Sequence, residues 1–319
     1  QLPQNLILGS ETASTVSSRG VYKFPVEDKK SATYDDHQCS SYDVEACSWS
    51  NIPDEDFALA DDNHWTIGQF VWTGFDYLGE PSPYDTNAWP NHSSMFGIID
   101  LASIPKDRYY LYRSVWNKKA ETLHILPHWT WPGREGKVTP VFVYTNHPTA
   151  ELFINGKSYG KQSKNNSSLK NRYRLMWIDA VYEPGEIKVV AYNKDGKAVA
   201  EKIVRTAGKP HHIELVSNRN ELTADGKDLA YITVKVVDKD GNLCPADSRQ
   251  INFSVKGAGK YRAAANGDPT NLEQFHLPKM HTFNGMLTAI VQSGETAGEI
   301  VLTAKASGVK AGNIRIQTK

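Results

Sequence analysis

The segment Leu6-Ile7-Leu8-Gly9-Ser10-Glu11, running into Thr12-Ala13-Ser14-Thr15-Val16-Ser17-Ser18-Arg19-Gly20, constrains the fold more than any other stretch. A short apolar run ends on a carboxylate and breaks at once into small, polar residues. Such runs suit strands buried on both faces, as in parallel sheets. A glutamate at the carboxyl end of a parallel strand stands where α/β barrels present their reacting groups. Almost no chain precedes this strand, so a barrel built on it would draw most of its strands from outside the sequence.

The next hundred residues extend the pattern. Residues 54–65 carry Phe57, Leu59, Ala60 and Trp65, which predicts a short helix. Residues 67–73 (Ile-Gly-Gln-Phe-Val-Trp-Thr) predict a second buried strand, with Phe70 and, just beyond it, Phe75 in the core. Residues 106–116 predict a helix with Tyr109, Tyr112, Val115 and Trp116 on one stripe and Pro105 at its entry. Strand, loop, helix, strand, loop, helix is the order of two βα units.

From about residue 121 the pattern changes to short strands separated by turn residues. Runs at 138–144 and 151–154 lead into Asn155-Gly156, a hairpin signal because both residues accept positive φ. A further run at 187–192 follows Pro184-Gly185, and Thr206-Ala207-Gly208-Lys209-Pro210 reads as a linker. Runs at 213–216, 231–237, 251–255, 286–291, 300–304 and 313–316 complete the chain, with Asp240-Gly241 as another turn. The fold class read from this is multidomain, α/β plus all-β. An α/β part over 1–120 precedes two immunoglobulin-like β-sandwiches, over 121–207 and 208–319.

Charge and composition narrow the function. Lys plus Arg and Asp plus Glu are equal at 36 each, so no net field draws nucleic acid. No run approaches the roughly 20 apolar residues of a membrane span, and no leader pattern is visible. The spacing of Cys39, Cys47 and Cys244 leaves a Cys39–Cys47 bridge open, but an odd, sparse count argues against a disulfide framework. His37, His64 and His92 lack metal-ligand spacing. Trp129, Trp131 and Trp177 read as sandwich core ahead of a sugar-binding surface.

Several segments together resemble glycoside hydrolase family 2, the β-galactosidase and β-glucuronidase family. Gly9-Ser10-Glu11 with Thr12-Ala13-Ser14 resembles its seventh barrel strand. The run Gly68-Gln69-Phe70-Val71-Trp72-Thr73-Gly74-Phe75-Asp76-Tyr77 resembles the eighth. Ser93-Ser94-Met95-Phe96-Gly97-Ile98-Ile99-Asp100 and Pro105-Lys106-Asp107-Arg108-Tyr109-Tyr110-Leu111-Tyr112 are similar to its closing loop and last helix. Leu78-Gly79-Glu80-Pro81 is similar to β-galactosidases of the Bacteroides type. Glu151-Leu152-Phe153-Ile154-Asn155-Gly156-Lys157, Asn266-Gly267-Asp268-Pro269-Thr270 and Phe283-Asn284-Gly285 resemble the modules that follow the barrel.

This resemblance implies the C-terminal part of a (β/α)8 TIM barrel, strands seven and eight, ahead of the two sandwiches. It implies Glu11 as the nucleophile of a retaining glycosidase and Trp72 as a wall of the sugar site. Asp76 and Glu80, with Asp100, are loop carboxylates able to hydrogen-bond a sugar hydroxyl, although loop carboxylates are more often turn caps or ion-pair partners. Arg19 is read as closing its loop through an ion pair ahead of orienting Glu11. The family's acid/base belongs to an Asn-Glu pair on the fourth strand, and no such pair precedes Glu11. The only one, Asn220-Glu221, falls in the last sandwich.

The expectation is therefore a C-terminal fragment, inactive alone, whose partners are its missing N-terminal part and a β-galactoside or galactose-containing oligosaccharide. No nucleic acid or membrane insertion is expected, and a homo-oligomer is compatible. Some relatives use a divalent or sodium ion, but no cofactor or metal is expected in this fragment. A periplasmic or secreted location follows by analogy. The competing readings are a carbohydrate-binding or spacer module, and a family 2 enzyme of the β-glucuronidase or β-mannosidase type.

Overall fold

The computed structural model describes residues 6–319. They form two compact units, one from residues 6–100 and 105–206 and the other from 101–104 and 207–319. Almost all regular structure is β, and the two longest helices have ten residues each.

In the first unit the strands Ile7–Ala13 and Thr66–Trp72 pair in parallel as a two-stranded sheet. Helix Pro53–Asp62 packs on both strands. Pro53 opens it, and Asp54, Glu55 and Asp56 in its first turn complement the positive end of the helix dipole. Burial departs from expectation here. Ile7 is 49 % exposed, Phe70 63 % and Phe75 54 %, with Leu8 and Ile67 also exposed. The apolar run makes a strand, but among the described residues no third strand lies beside the pair to cover its faces.

Helix Asp107–Trp116 forms where predicted, with its buried face turned from the expected stripe. Asp107, Arg108, Leu111, Tyr112 and Ser114 face inward, while Trp116 is 45 % exposed. The cause is Arg108, a charged residue that reads as solvent-facing yet is fully buried beside Asp43, the Thr15 carbonyl and the Ser17 hydroxyl.

Residues 123–205 form seven strands in two sheets. One sheet has the order Ala198–Arg205, Glu186–Tyr192, Thr149–Ile154, Lys157–Ser163. The other has the order Leu123–Leu126, Val141–Thr145, Leu175–Trp177. Asn155 and Gly156 take φ of 49° and 80°, the paired positive values that a tight hairpin turn requires. Trp129, Leu152, Val189 and Trp177 lie in the sandwich core. Strand Val141–Thr145 is buried on both faces. Val141 and Val143 point into the sandwich, while Phe142 and Tyr144 pack with Tyr42, Phe57, Leu111 and Tyr112 of the preceding region. Its unbroken Val-Phe-Val-Tyr run thus answers to two cores rather than one.

The second unit is again two antiparallel layers. Strands His212–Ser217, Leu229–Val237, Met286–Ser293 and Gly259–Ala265 make one sheet. Glu221–Leu222, Gly312–Thr318, Gly298–Lys305, Gln250–Gly257 and Lys279–His281 make the other, in which Glu221–Leu222 alone runs parallel. Alternate residues such as Ile232, Val234, Val236, Leu287, Ala289, Val291, Ile300 and Leu302 are fully buried between them. The three cysteines are buried and unbridged. Among the described residues no helix is long and apolar enough to cross a membrane.

Candidate active site

The pairing of Ile7–Ala13 with Thr66–Trp72 is irregular at one informative point. Gly9 faces Gln69 and Thr12 faces Val71, so Ser10 and Glu11 together oppose Phe70 alone. An extra residue of this kind is a β-bulge, which redirects a side chain and is common beside active sites. The Thr12 hydroxyl pins the bulge, lying 2.9 Å from Gln69 Oε1 and 3.1 Å from the Phe70 carbonyl. Ala13 and Ser14 then take φ of 67° and 53°, turning the chain sharply away. Glu11 is left exposed near the end of a strand pinned to its one partner.

Ala13 stands opposite Trp72, so the indole begins where the glutamate strand ends. Trp72 Nε1 donates to the Tyr77 hydroxyl at 3.2 Å, and Tyr77 donates in turn to Glu80 Oε2. The Trp72 and Tyr77 rings meet edge to face at 6.0 Å. Burial, the hydrogen bond to Glu80 and the charges of Glu80 and Glu11 push the Tyr77 phenol up to about 12. The register brings the end of the Glu11 strand to Trp72 through Ala13, and Trp72 in turn is joined through Tyr77 to Glu80. Tyr77 was not singled out from the sequence, because a lone tyrosine in an aromatic segment carries no signal of its own.

The remaining two carboxylates sit elsewhere. Asp76, read as a sugar contact, is buried and engaged by its own chain. Lys106 Nζ lies 2.7 Å from its Oδ2, and the Gly97 amide donates to Oδ1 at 2.8 Å. Burial raises its carboxyl to about 6 against the pull of Lys106. Asp100 is likewise buried, 2.5 Å from Arg19 Nε, so Arg19 closes its loop. Lys106 also donates to the Ser17 carbonyl at 2.7 Å, and Arg108 to the Thr15 carbonyl and Ser17 hydroxyl. Three cations therefore fasten residues 15–19, the segment directly behind Glu11. Lys106 and Arg108 went unassigned in the sequence because a Lys-Asp-Arg run opening a helix usually faces water.

His37 lies against Tyr84, His64 against Trp65, and His92 on the Pro90 carbonyl, three separate places. Among the described residues no group of three His, Cys, Asp or Glu side chains is arranged to hold a metal ion. Trp129 and Trp177 are core residues of the first sandwich, and Trp131 stacks on His128 at 4.0 Å.

Residues 213–315 match the family described as glycoside hydrolase family 2 C-terminal domain 5. Residues 136–200 match a domain of unknown function, DUF4982. The chain belongs to glycoside hydrolase family 2. It is 40 % identical, over 99 % of its length, to a β-galactosidase of Bacteroides ovatus, and spans 37 % of that relative. A β-glucuronidase of Formosa agariphila is 25 % identical over 81 % of the chain, which spans 26 % of it. Among solved structures, a β-glycosidase from Bacteroides vulgatus superposes with a TM-score of 0.84 at 31 % identity. That match covers 97 % of this chain and 41 % of the other. The chain thus spans about two-fifths or less of the length of these relatives.

Proposed function

We propose that this chain supplies the nucleophile and part of the sugar pocket of a retaining β-galactosidase. The observation that carries the reading is the bulge that exposes Glu11 on the strand whose end pairs with Trp72, the indole joined through Tyr77 to Glu80. In the proposed reaction a Glu11 oxygen attacks the anomeric carbon of a terminal galactose. The bond to the leaving oxygen breaks, and that oxygen takes a proton from an acid supplied by the rest of the protein. Water then cleaves the glycosyl ester, restoring the Glu11 carboxylate. The parallel strand pair belongs, in this reading, to an eight-stranded barrel completed by chain outside this sequence.

The β-glucuronidase named among the relatives poses the alternative sugar. Electrostatics favour a neutral one. Two exposed carboxylates belong to this region, Glu11 on the strand that ends opposite Trp72 and Glu80 on the Tyr77 hydroxyl that Trp72 also bonds. The cations Arg19, Lys106 and Arg108 are instead buried and committed to the loop that follows Glu11. A uronate would meet like charge in that corner.

The test is hydrolysis of a chromogenic β-galactoside by the chain alone and after mixing with the N-terminal portion of the enzyme. Activity is expected only in the mixture, with loss of about 10⁴-fold or more in Glu11→Gln. Activity surviving that change removes Glu11 from the mechanism. Faster turnover of the matching β-glucuronide would reassign the sugar.

A further inference from the structure

Trp49 has no role in the site as described, yet it is 61 % exposed on a turn closed by hydrogen bonds between buried ends. The turn spans Cys47 to Ser50, both buried. Ser50 Oγ accepts from the Cys47 amide at 2.8 Å, and the Ser50 amide donates back to the Cys47 carbonyl at 3.1 Å. Its position is fixed from the Glu11 strand. The Asn51 amide donates to the Ala13 carbonyl at 3.2 Å, and the Thr15 hydroxyl donates to the Asn51 carbonyl at 2.8 Å. The indole therefore stands at the carboxyl end of the strand that carries Glu11.

It is tied to the neighbouring strand as well. Trp49 contacts the buried Phe96 ring at 5.8 Å, and the Phe96 carbonyl accepts from the Thr73 amide, the residue after Trp72. Trp72 and Tyr77 pack against the same cluster, which holds Phe96 and Cys47. Two indoles thus border one buried cluster at the ends of two adjacent parallel strands. One exposed apolar side chain is ordinary on a protein surface. An exposed indole on an immobilised turn, at the strand ends where a barrel binds its substrate, is a preorganised flat surface. It differs from Leu8 and Phe70, which lie along the strands where further barrel strands would cover them.

We propose that Trp49 is a specificity-determining residue of this site, its indole stacking on the ring of a leaving group that carries one. This rests on the reading of Glu11 as nucleophile. A terminal galactose over Trp72 has no sugar beyond its non-reducing side, so a second stacking surface at the mouth serves the departing side. Aromatic faces bury the apolar side of a sugar ring with little loss of side-chain freedom.

The experiment compares lactose with methyl β-galactoside, whose aglycone has no ring, in the chain assembled with its N-terminal portion. Trp49→Ala is expected to lower kcat/KM for lactose about tenfold more than for methyl β-galactoside, and Trp49→Phe to restore most of the difference. Equal losses on both substrates, or none on either, overturn the proposal. Saturation-transfer NMR with lactose on the Glu11→Gln form reads stacking without turnover. Transfer to the glucose ring that disappears with Trp49→Ala supports the stacking role even if Glu11 is not the nucleophile. Transfer confined to galactose overturns it.

Discussion

The strand pair at the start of the chain and the sandwich at its end use the same kinds of residue to opposite effect. Ile232, Val234 and Leu302 in the sandwich are fully buried, while Ile7, Leu8 and Phe70 in the strand pair have about half or more of their surface in solvent. Both stretches form strands, because strand formation follows local sequence. Burial requires neighbours, and the sandwich brings nine strands in two layers where the pair has only itself. Charge divides the two regions in the reverse sense. The first unit buries Arg19 with Asp100, Lys106 with Asp76, Arg108 with Asp43 and Arg174 with Asp54. In the last sandwich, pairs such as Arg315–Glu299 and Lys319–Glu221 lie at the surface. Buried ion pairs contribute little net stability, but they fix geometry because each charge has a single satisfactory partner. The first region spends its interior on holding loops in place, and the last on apolar packing.

The largest expected effect tests that division directly. Arg174 Nε donates to Asp54 Oδ1 at 2.9 Å, and its two Nη groups donate to the carbonyls of Tyr42 and Asp43 at 3.0 Å. This one side chain joins the sandwich strand region to helix Pro53–Asp62. Arg174→Ala leaves Asp54 buried without its counter-charge, at a cost of about 3–5 kcal/mol. Calorimetry should show the transition of the first unit falling by about 10 °C while that of residues 207–319 stays within about 1 °C. A common shift of both transitions would mean that the two regions are not separately stabilised.

What the sequence disclosed follows the same line between local and distant causes. The strand before Thr73, the helix after Pro105 and the Asn155-Gly156 turn were legible because each depends on a few adjacent residues. Glu11, Trp72 and Glu80 stood out as a set only through family resemblance; the structure links Trp72 to Glu80 through Tyr77 and sets the end of the Glu11 strand opposite Trp72. Asp76 was indistinguishable from Glu80 in sequence. What separates them is Lys106, thirty residues away, which draws one carboxylate inward and leaves the other in solvent. Arg108 turned the helix face for a similar reason, reaching Thr15 across 93 residues. Pairings of that range leave no periodic mark on the chain.

A middle-sized effect concerns pH in the first unit. His128 is enclosed by Trp131, stacked at 4.0 Å, and by the edge of Tyr22 at 5.5 Å. Burial lowers its imidazole from 6.5 to about 4, so the folded chain keeps it neutral where the unfolded chain binds a proton. Its contribution is complete above pH 6.5 and is lost as pH falls toward 4, by about 2 kcal/mol between pH 7 and 5. Asp43 and Asp76 act with the opposite sign. Burial raises both carboxyls to about 6, so below that pH they take up protons before the unfolded chain does, and folding gains. The informative quantity is consequently a difference. His128→Phe should lose about 2 kcal/mol less than the parent chain between pH 7 and 5 in urea titrations. Parallel pH profiles would show that His128 is not kept neutral by its surroundings.

The smallest expected effect discriminates most sharply between an exposed strand and an unfinished one. Leu8 lies on the strand pair with about half its surface in water, so Leu8→Ala in the chain alone should change stability by no more than about 0.5 kcal/mol. Leu302→Ala, the same kind of truncation in the last sandwich, opens a cavity in a sealed core and should cost about 2–5 kcal/mol. If the pair is part of a barrel, the contrast must disappear once the N-terminal portion is present. Leu8 then becomes a core residue, and its truncation should weaken association of the two parts about 30-fold or more, corresponding to roughly 2 kcal/mol of lost burial. Association indifferent to Leu8→Ala would show that the pair keeps its open face in the complete protein. Glu11 would then stand on the rim of an open sheet, and the barrel reading would have to be abandoned along with the sugar pocket built on it.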